Sequence, residues 1–195
     1  MASRLRQQLR KSRQSLTSKQ RNQMSAVITG ELARYRPFQR ARRVAFYYPT
    51  EEEVDTRPAM TMAAETGKEI YLPVINTARW RQATLLFQRY QPGQSELKAN
   101  RFGIPEPVHR PGESIRGQEM DLVCVPLVGF NAACDRIGMG GGYYDRAFAT
   151  PSWRGTWLLG LAFSCQQAEF EPRPHDVRLN AVLTEKGIIN RKSTA

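Results

Sequence analysis

The sequence has little of what would place it in a membrane or outside the cell. No apolar run approaches the roughly 18 residues of a membrane span, and no apolar segment follows the start, so neither insertion nor export is expected. Cysteine is scarce and odd in number: Cys124, Cys134 and Cys165 exclude a disulfide framework, and a reduced, cytoplasmic protein is expected. His109 and His175 lie far apart without metal-ligand spacing to a cysteine, which speaks against zinc and against a histidine base. Acid is almost missing from residues 1–43, where Glu31 stands alone against twelve Lys and Arg. The remaining residues carry seventeen of each sign, so the whole formal charge of +11 resides in this arm. A basic arm can be a solvated helix face, a nucleotide contact or a nucleic-acid contact. The aromatic interleaving of a single-strand binder is missing, because Tyr35 is the first aromatic residue.

What is present fits one domain spanning 1–195, with residues 1–43 as a helical arm packed on it. Leu5, Leu9 and Leu16 fall on one helical face, and Met24, Val27, Ile28 and Leu32 form a second stripe. Thr17 or Ser18 fits an N-cap between two helices. Arg6, Arg10 and Arg13 line one side of the first helix beside its leucines, with Arg13 furthest from the chain start. Strands are predicted at 44–48, 70–75, 84–88, 122–128, 157–163 and 181–184, and helices at 55–66 and from Tyr143 to Ala149. This alternation indicates an α/β fold, a three-layer arrangement of a mostly parallel sheet flanked by helices. Residues 90–120, rich in Pro, Gly and charge, read as a long surface connection. Cys124 reads as buried packing and Cys134 as exposed near the loop that follows it.

That loop is Asp135-Arg-Ile-Gly-Met-Gly-Gly-Gly-Tyr-Tyr-Asp-Arg146. Gly138, Gly140, Gly141 and Gly142 free successive backbone N–H groups to converge on an anion, and the following helix start favours phosphate. Arg136 and Arg146 flank the glycines; the bland alternative is a flexible or tightly turned connection. No Gly-Lys-Ser/Thr occurs, which excludes a P-loop, and Tyr143 stands where a dinucleotide fingerprint begun at Gly138 requires glycine.

The whole string resembles the signature of the 5-formyltetrahydrofolate cyclo-ligase family, Arg-[Ile/Leu]-Gly-x-Gly-x-Gly-[Tyr/Phe]-Tyr-Asp. Phe46-Tyr-Tyr-Pro-Thr-Glu-Glu-Glu-Val-Asp-Thr56, Gly67-Lys-Glu-Ile-Tyr-Leu-Pro73, Ile104-Pro-Glu-Pro107, Asp121 to Phe130 and Pro174 to Thr184 resemble further family segments in the same order. The resemblance implies ATP-dependent cyclisation of 5-formyltetrahydrofolate to 5,10-methenyltetrahydrofolate, with Mg2+, through phosphorylation of the formyl oxygen. A cytoplasmic monomer with no nucleic-acid or membrane partner is expected. The resemblance makes Gly138, Met139, Gly140, Gly141 and Gly142 the ATP loop, with Arg136 beside it. Tyr143 and Tyr144 become the aromatic pair flanking folate and nucleotide, and Asp145 the acid after them and a Mg2+ ligand; its alternative is a plain helix-start carboxylate. Arg136, Tyr144 and Asp145 are the implied catalytic residues. Glu53 matches the folate-contacting glutamate, while Glu51 and Glu52 read as solvated. Tyr48 and Phe102 match positions beside the pteridine, with core packing as the alternative for each. Arg6 aligns with a nucleotide-binding residue of the first helix; the usual earlier lysine falls near Ala2, leaving Arg4 or Arg10 as substitutes. Two other classes remain: a nucleic-acid binder using the arm, and a nucleotide-independent sugar-phosphate isomerase.

Overall fold

The arm folds into two helices broken where the sequence places a cap. In this computed structural model, which describes residues 2–76, 84–110, 112–148, 155–173 and 176–192, α1 (Ala2–Gln14) and α2 (Ser18–Arg34) meet at Thr17. The Gln20 backbone N–H donates to the Thr17 hydroxyl at 3.2 Å, and the Thr17 N–H donates to the Gln20 side chain at 2.8 Å. This reciprocal box satisfies two N–H groups that a helix start leaves open. A short α3 (Arg36–Arg40), with Pro37 in its first turn, was not expected.

The central sheet has eight strands, β1 (Arg43–Ala45), β2 (Glu69–Asn76), β3 (Thr84–Arg89), β6 (Ser114–Ile115), β7 (Leu122–Val125), β10 (Trp157–Leu161), β11 (Ala181–Thr184) and β12 (Gly187–Asn190). Their spatial order is β12-β11-β10-β7-β1-β2-β3-β6. The middle strands β11, β10, β7, β1 and β2 run parallel; β12, β3 and β6 add antiparallel edges. The expected strand 122–128 stops at Val125, and 157–163 stops at Leu161. Pro73 lies within β2 rather than at its end, past Tyr71 where pairing to β1 stops, so its missing N–H removes no bond on that side.

Both sheet faces are covered, as a mostly parallel sheet requires. Val44, Leu122, Cys124, Leu159 and Leu183 point to the face packed by α2, α3 and α4 (Arg57–Glu65); Ala45, Val123, Val125, Leu158 and Val182 point to the other, under α5 (Tyr143–Phe148) and the loops. The expected long connection at 90–120 is organised instead. β4 (Leu97–Ala99) and β5 (Pro105–Pro107) form a separate hairpin, and β6 joins the main sheet. A second small hairpin, β8 (Gly129–Phe130) with β9 (Arg136–Ile137), carries the glycine loop. Cys134 is buried rather than exposed: it takes a positive φ of 64° and turns its thiol toward the Ile189 carbonyl. Ala149 and His175 lie outside the described residues.

Candidate functional site

From β1 the chain crosses to β2 on one side, then returns to β7 on the other side of β1. The β1/β7 boundary is therefore the topological switch point, and ligands in such sheets bind beyond the carboxyl ends of the strands there. The segments that follow those two ends are 46–53 and 126–145, which hold Glu53 and the glycine loop.

The root of the loop is fixed by buried polar contacts. Asn131 donates to the Asp135 carboxylate at 3.0 Å, and Arg178 pairs with it at 2.8 Å. Arg136, itself buried, pairs with Asp145 at 2.5 Å, and the Val177 N–H donates to the same Asp145 oxygen at 3.4 Å. The two ends of the glycine string are thus tied together by a guanidinium and a carboxylate. Gly140 and Gly142 have φ of 100° and 64°, the left-handed region in which a side chain is strained. The tip is open to solvent, with Met139 60% exposed.

α1 lies over this loop. Leu9 is buried with Val128 and Ile137, and Leu5 packs beside them. Gly129 permits the approach, because a Cβ there would stand 2.4 Å from a Leu9 methyl. The Gln166 side chain donates to the Leu127 and Val128 carbonyls at 2.9 and 3.1 Å and braces the same segment. Arg6 then donates from Nε to the Gly138 carbonyl at 2.8 Å, so the basic arm reaches the loop. Arg10 lines a groove with Arg6, Ser3, Gln7, Lys11 and Gln14; Arg4 is exposed outside that lining.

Arg13 departs most from the sequence reading. It is 2% exposed and ion-paired to Glu52 at 3.1 Å and to Glu53 at 4.0 Å. Glu52, expected to be solvated, also accepts from Gln14 at 2.6 Å. Partial burial pushes the Glu52 carboxyl up, but the hydrogen bonds from Gln14 and Arg13 outweigh it and hold the group below the usual carboxylate range. Glu51 is exposed, as expected. Residues 50–53 form a turn: the Glu53 N–H donates to the Thr50 carbonyl at 3.1 Å, and the Glu53 carboxylate accepts from the Thr50 N–H at 3.0 Å.

The aromatic residues separate into two groups. The Arg136 guanidinium lies 5.8 Å from the Tyr144 ring centre; burial, then the Glu53 charge, push the Tyr144 hydroxyl well up, and Arg136 partly offsets them. Tyr47, buried nearby, is pushed up by burial and again by Glu53. Tyr48 packs with the first core face beside Arg57 and Tyr90. Phe102, 56% exposed, stands edge-to-face on Tyr143 with ring centroids 6.2 Å apart, so the structure joins it to the loop rather than to the core. Arg101 bonds to the Tyr143 hydroxyl, and Arg146 sits 5.0 Å from the Tyr143 ring centre. The sequence reading places Arg13 on the basic stripe with Arg6 and Arg10 but not on Glu52, and gives no signal for the contacts of Arg101 or Tyr47.

Among the described residues no group of three or more His, Cys, Asp or Glu could hold a metal ion. Asp145 offers one carboxylate with an oxygen already on Arg136. That donor set fits a Mg2+ carried in on phosphates and keeping its waters, and does not fit an all-protein cage.

A glycine loop rooted in buried ion pairs at the switch point of a mostly parallel sheet, with a basic helix lying against it, is the arrangement of a three-layer α/β protein. The model of the 5-formyltetrahydrofolate cyclo-ligase family matches residues 1–185. The chain is 33% identical to the 5-formyltetrahydrofolate cyclo-ligase of Haemophilus influenzae, covering 92% of this chain and 95% of that one. It is 34% identical to that of Escherichia coli, covering 90% and 96%. The solved structure of Aquifex aeolicus 5,10-methenyltetrahydrofolate synthetase superposes with a TM-score of 0.82 at 28% identity, over 100% of this chain and 94% of that one. The chain belongs to the 5-formyltetrahydrofolate cyclo-ligase family.

Proposed function

We propose that the protein uses ATP to cyclise 5-formyltetrahydrofolate to 5,10-methenyltetrahydrofolate, releasing ADP and phosphate. The observation that carries this reading is the junction of Arg6 with Gly138, which brings the basic arm onto the glycine loop. The formamide carbonyl of the substrate is a poor electrophile, so its oxygen attacks the γ-phosphorus and ADP leaves. N10 then attacks the activated carbon, the carbon–oxygen bond breaks, phosphate departs and the N10 proton is lost. No protein nucleophile is needed; the protein has to hold two substrates in line, neutralise charge and exclude water.

Gly138, Met139, Gly140, Gly141 and Gly142 supply backbone N–H groups to the triphosphate, with Arg6 and Arg10 at its side. Arg4, exposed on the same helix, is the weaker candidate. Arg136 orients Asp145 and the loop. Glu53 accepts the paired N–H donors of the pterin edge, Tyr144 and Tyr48 line it, and Phe102 with Tyr143 closes the loop side. A Mg2+ ion bound with ATP would spread the phosphate charge, with Asp145 as its protein ligand. The protein acts as a cytoplasmic monomer. The nucleic-acid reading loses support because Arg6 and Arg13 turn onto the protein itself. The test is an absorbance assay for methenyltetrahydrofolate with 5-formyltetrahydrofolate, Mg2+ and ATP, omitting each in turn. Product should form only with all three; product without nucleotide would contradict the proposal.

A further inference from the structure

Arg13 is a long cation buried between α1 and the turn at residues 50–53, and its environment does not satisfy it. One nitrogen, Nη2, bonds to Glu52 at 3.1 Å, while Nε and Nη1 make no hydrogen bond among the described residues. A buried guanidinium with unmet donors is destabilising, and a site built only for packing would hold an apolar side chain of that size. The neighbour of Nη1 is the Glu53 carboxylate oxygen at 4.0 Å, the oxygen opposite the one that caps Thr50. The Glu53 carboxylate is therefore capped by its own turn on one oxygen and faces a cation delivered from α1 at ion-pair distance on the other.

The same helix carries Arg6 seven residues earlier, two turns or about 10 Å along the axis, where it bonds to Gly138. One rigid element thus touches the phosphate loop at one end and the Glu52–Glu53 turn at the other. We infer that Arg13 is a positioning residue: it holds the Glu52–Glu53 turn so that Glu53 presents its carboxylate to the pterin, making folate recognition dependent on the docked arm. Glu52 and Gln14 complete the clamp, since Gln14 donates to the second Glu52 oxygen at 2.6 Å. The inference rests on the proposed folate role of Glu53.

The test measures 5-formyltetrahydrofolate binding by calorimetry to the full chain, with the affinity for a non-hydrolysable ATP analogue measured separately. Arg13→Met keeps volume and removes the charge; folate affinity should fall roughly tenfold or more, with analogue affinity within about twofold of wild type. Arg13→Lys keeps a buried cation but cannot span both carboxylates; it should fold and lose a smaller factor, roughly threefold to tenfold, and it carries the test if Arg13→Met does not fold. In a Glu53→Gln background Arg13→Lys should add no further loss, an outcome that a merely structural role would not give. Unchanged folate affinity in Arg13→Lys, or an equal further loss in the Glu53→Gln background, overturns the inference. Failure of the wild-type protein to bind folate overturns the underlying reading of Glu53 instead.

Discussion

At Gly140 the backbone φ of 100° leaves room for a side chain in space, since the nearest atom to a Cβ is the Arg6 guanidinium carbon at 3.9 Å, but not in conformation. Gly140→Val should abolish ATP turnover while the far-UV spectrum stays native, because the strain is confined to an exposed tip; normal ATP affinity and turnover would remove the loop from the mechanism. Asp145 pairs with buried Arg136 and is the proposed Mg2+ ligand. Asp145→Asn should raise the Mg2+ requirement and cut turnover, and should also lower stability by about 1–3 kcal/mol, because buried Arg136 loses its counter-charge; Mg2+ titration and a urea midpoint separate the two effects. Glu53→Ala should weaken folate binding while leaving ATP binding intact, and calorimetry with each ligand checks it. At this scale the sequence was legible where a motif names its residues. It was silent where a contact depends on elements far apart in the chain: nothing near Arg13 announces Glu52, and nothing near Cys134 announces the Ile189 carbonyl that receives its thiol.

The arm reaches both the glycine loop and the Glu52–Glu53 turn. Leucine spacing and Thr17 made both helices legible, because cap and stripe are local signals. The burial of Arg13 was not, because helical periodicity alone cannot say which basic residue faces a partner. Arg6→Ala should raise the apparent ATP constant roughly tenfold to a hundredfold with little change in thermal midpoint, since docking rests on Leu5 and Leu9. Glu52 supplies a pH test. Its folded carboxyl is held below its ordinary value, so its contribution is complete above the unfolded glutamate value of about 4.3 and is lost as pH falls through the folded value. Hydrogen exchange should therefore show α1 losing protection before α2 on acidification below about pH 4; simultaneous loss would place the acid-sensitive contact elsewhere.

Across the whole molecule, the parallel sheet and its switch point gather what the chain scatters. The segments carrying Glu53 and the glycine loop start from neighbouring strands, β1 and β7, and Arg6 reaches the loop because Gly129 lets α1 lie on it. The class of the sheet was legible from alternating strands and helices. The order within residues 90–120 was not, because short edge strands such as β6 form only against a sheet that already exists. The +11 charge falls into place on the same scale: part of it is directed to the glycine loop and part to Glu52 and Glu53. In the proposed reaction this assembly sets the formyl oxygen in line with the γ-phosphorus. A heavy-oxygen label in the formyl group of 5-formyltetrahydrofolate tests it most directly, with the released phosphate analysed by mass after a single turnover. One labelled oxygen per phosphate is the expected result; unlabelled phosphate formed alongside methenyl product would contradict it.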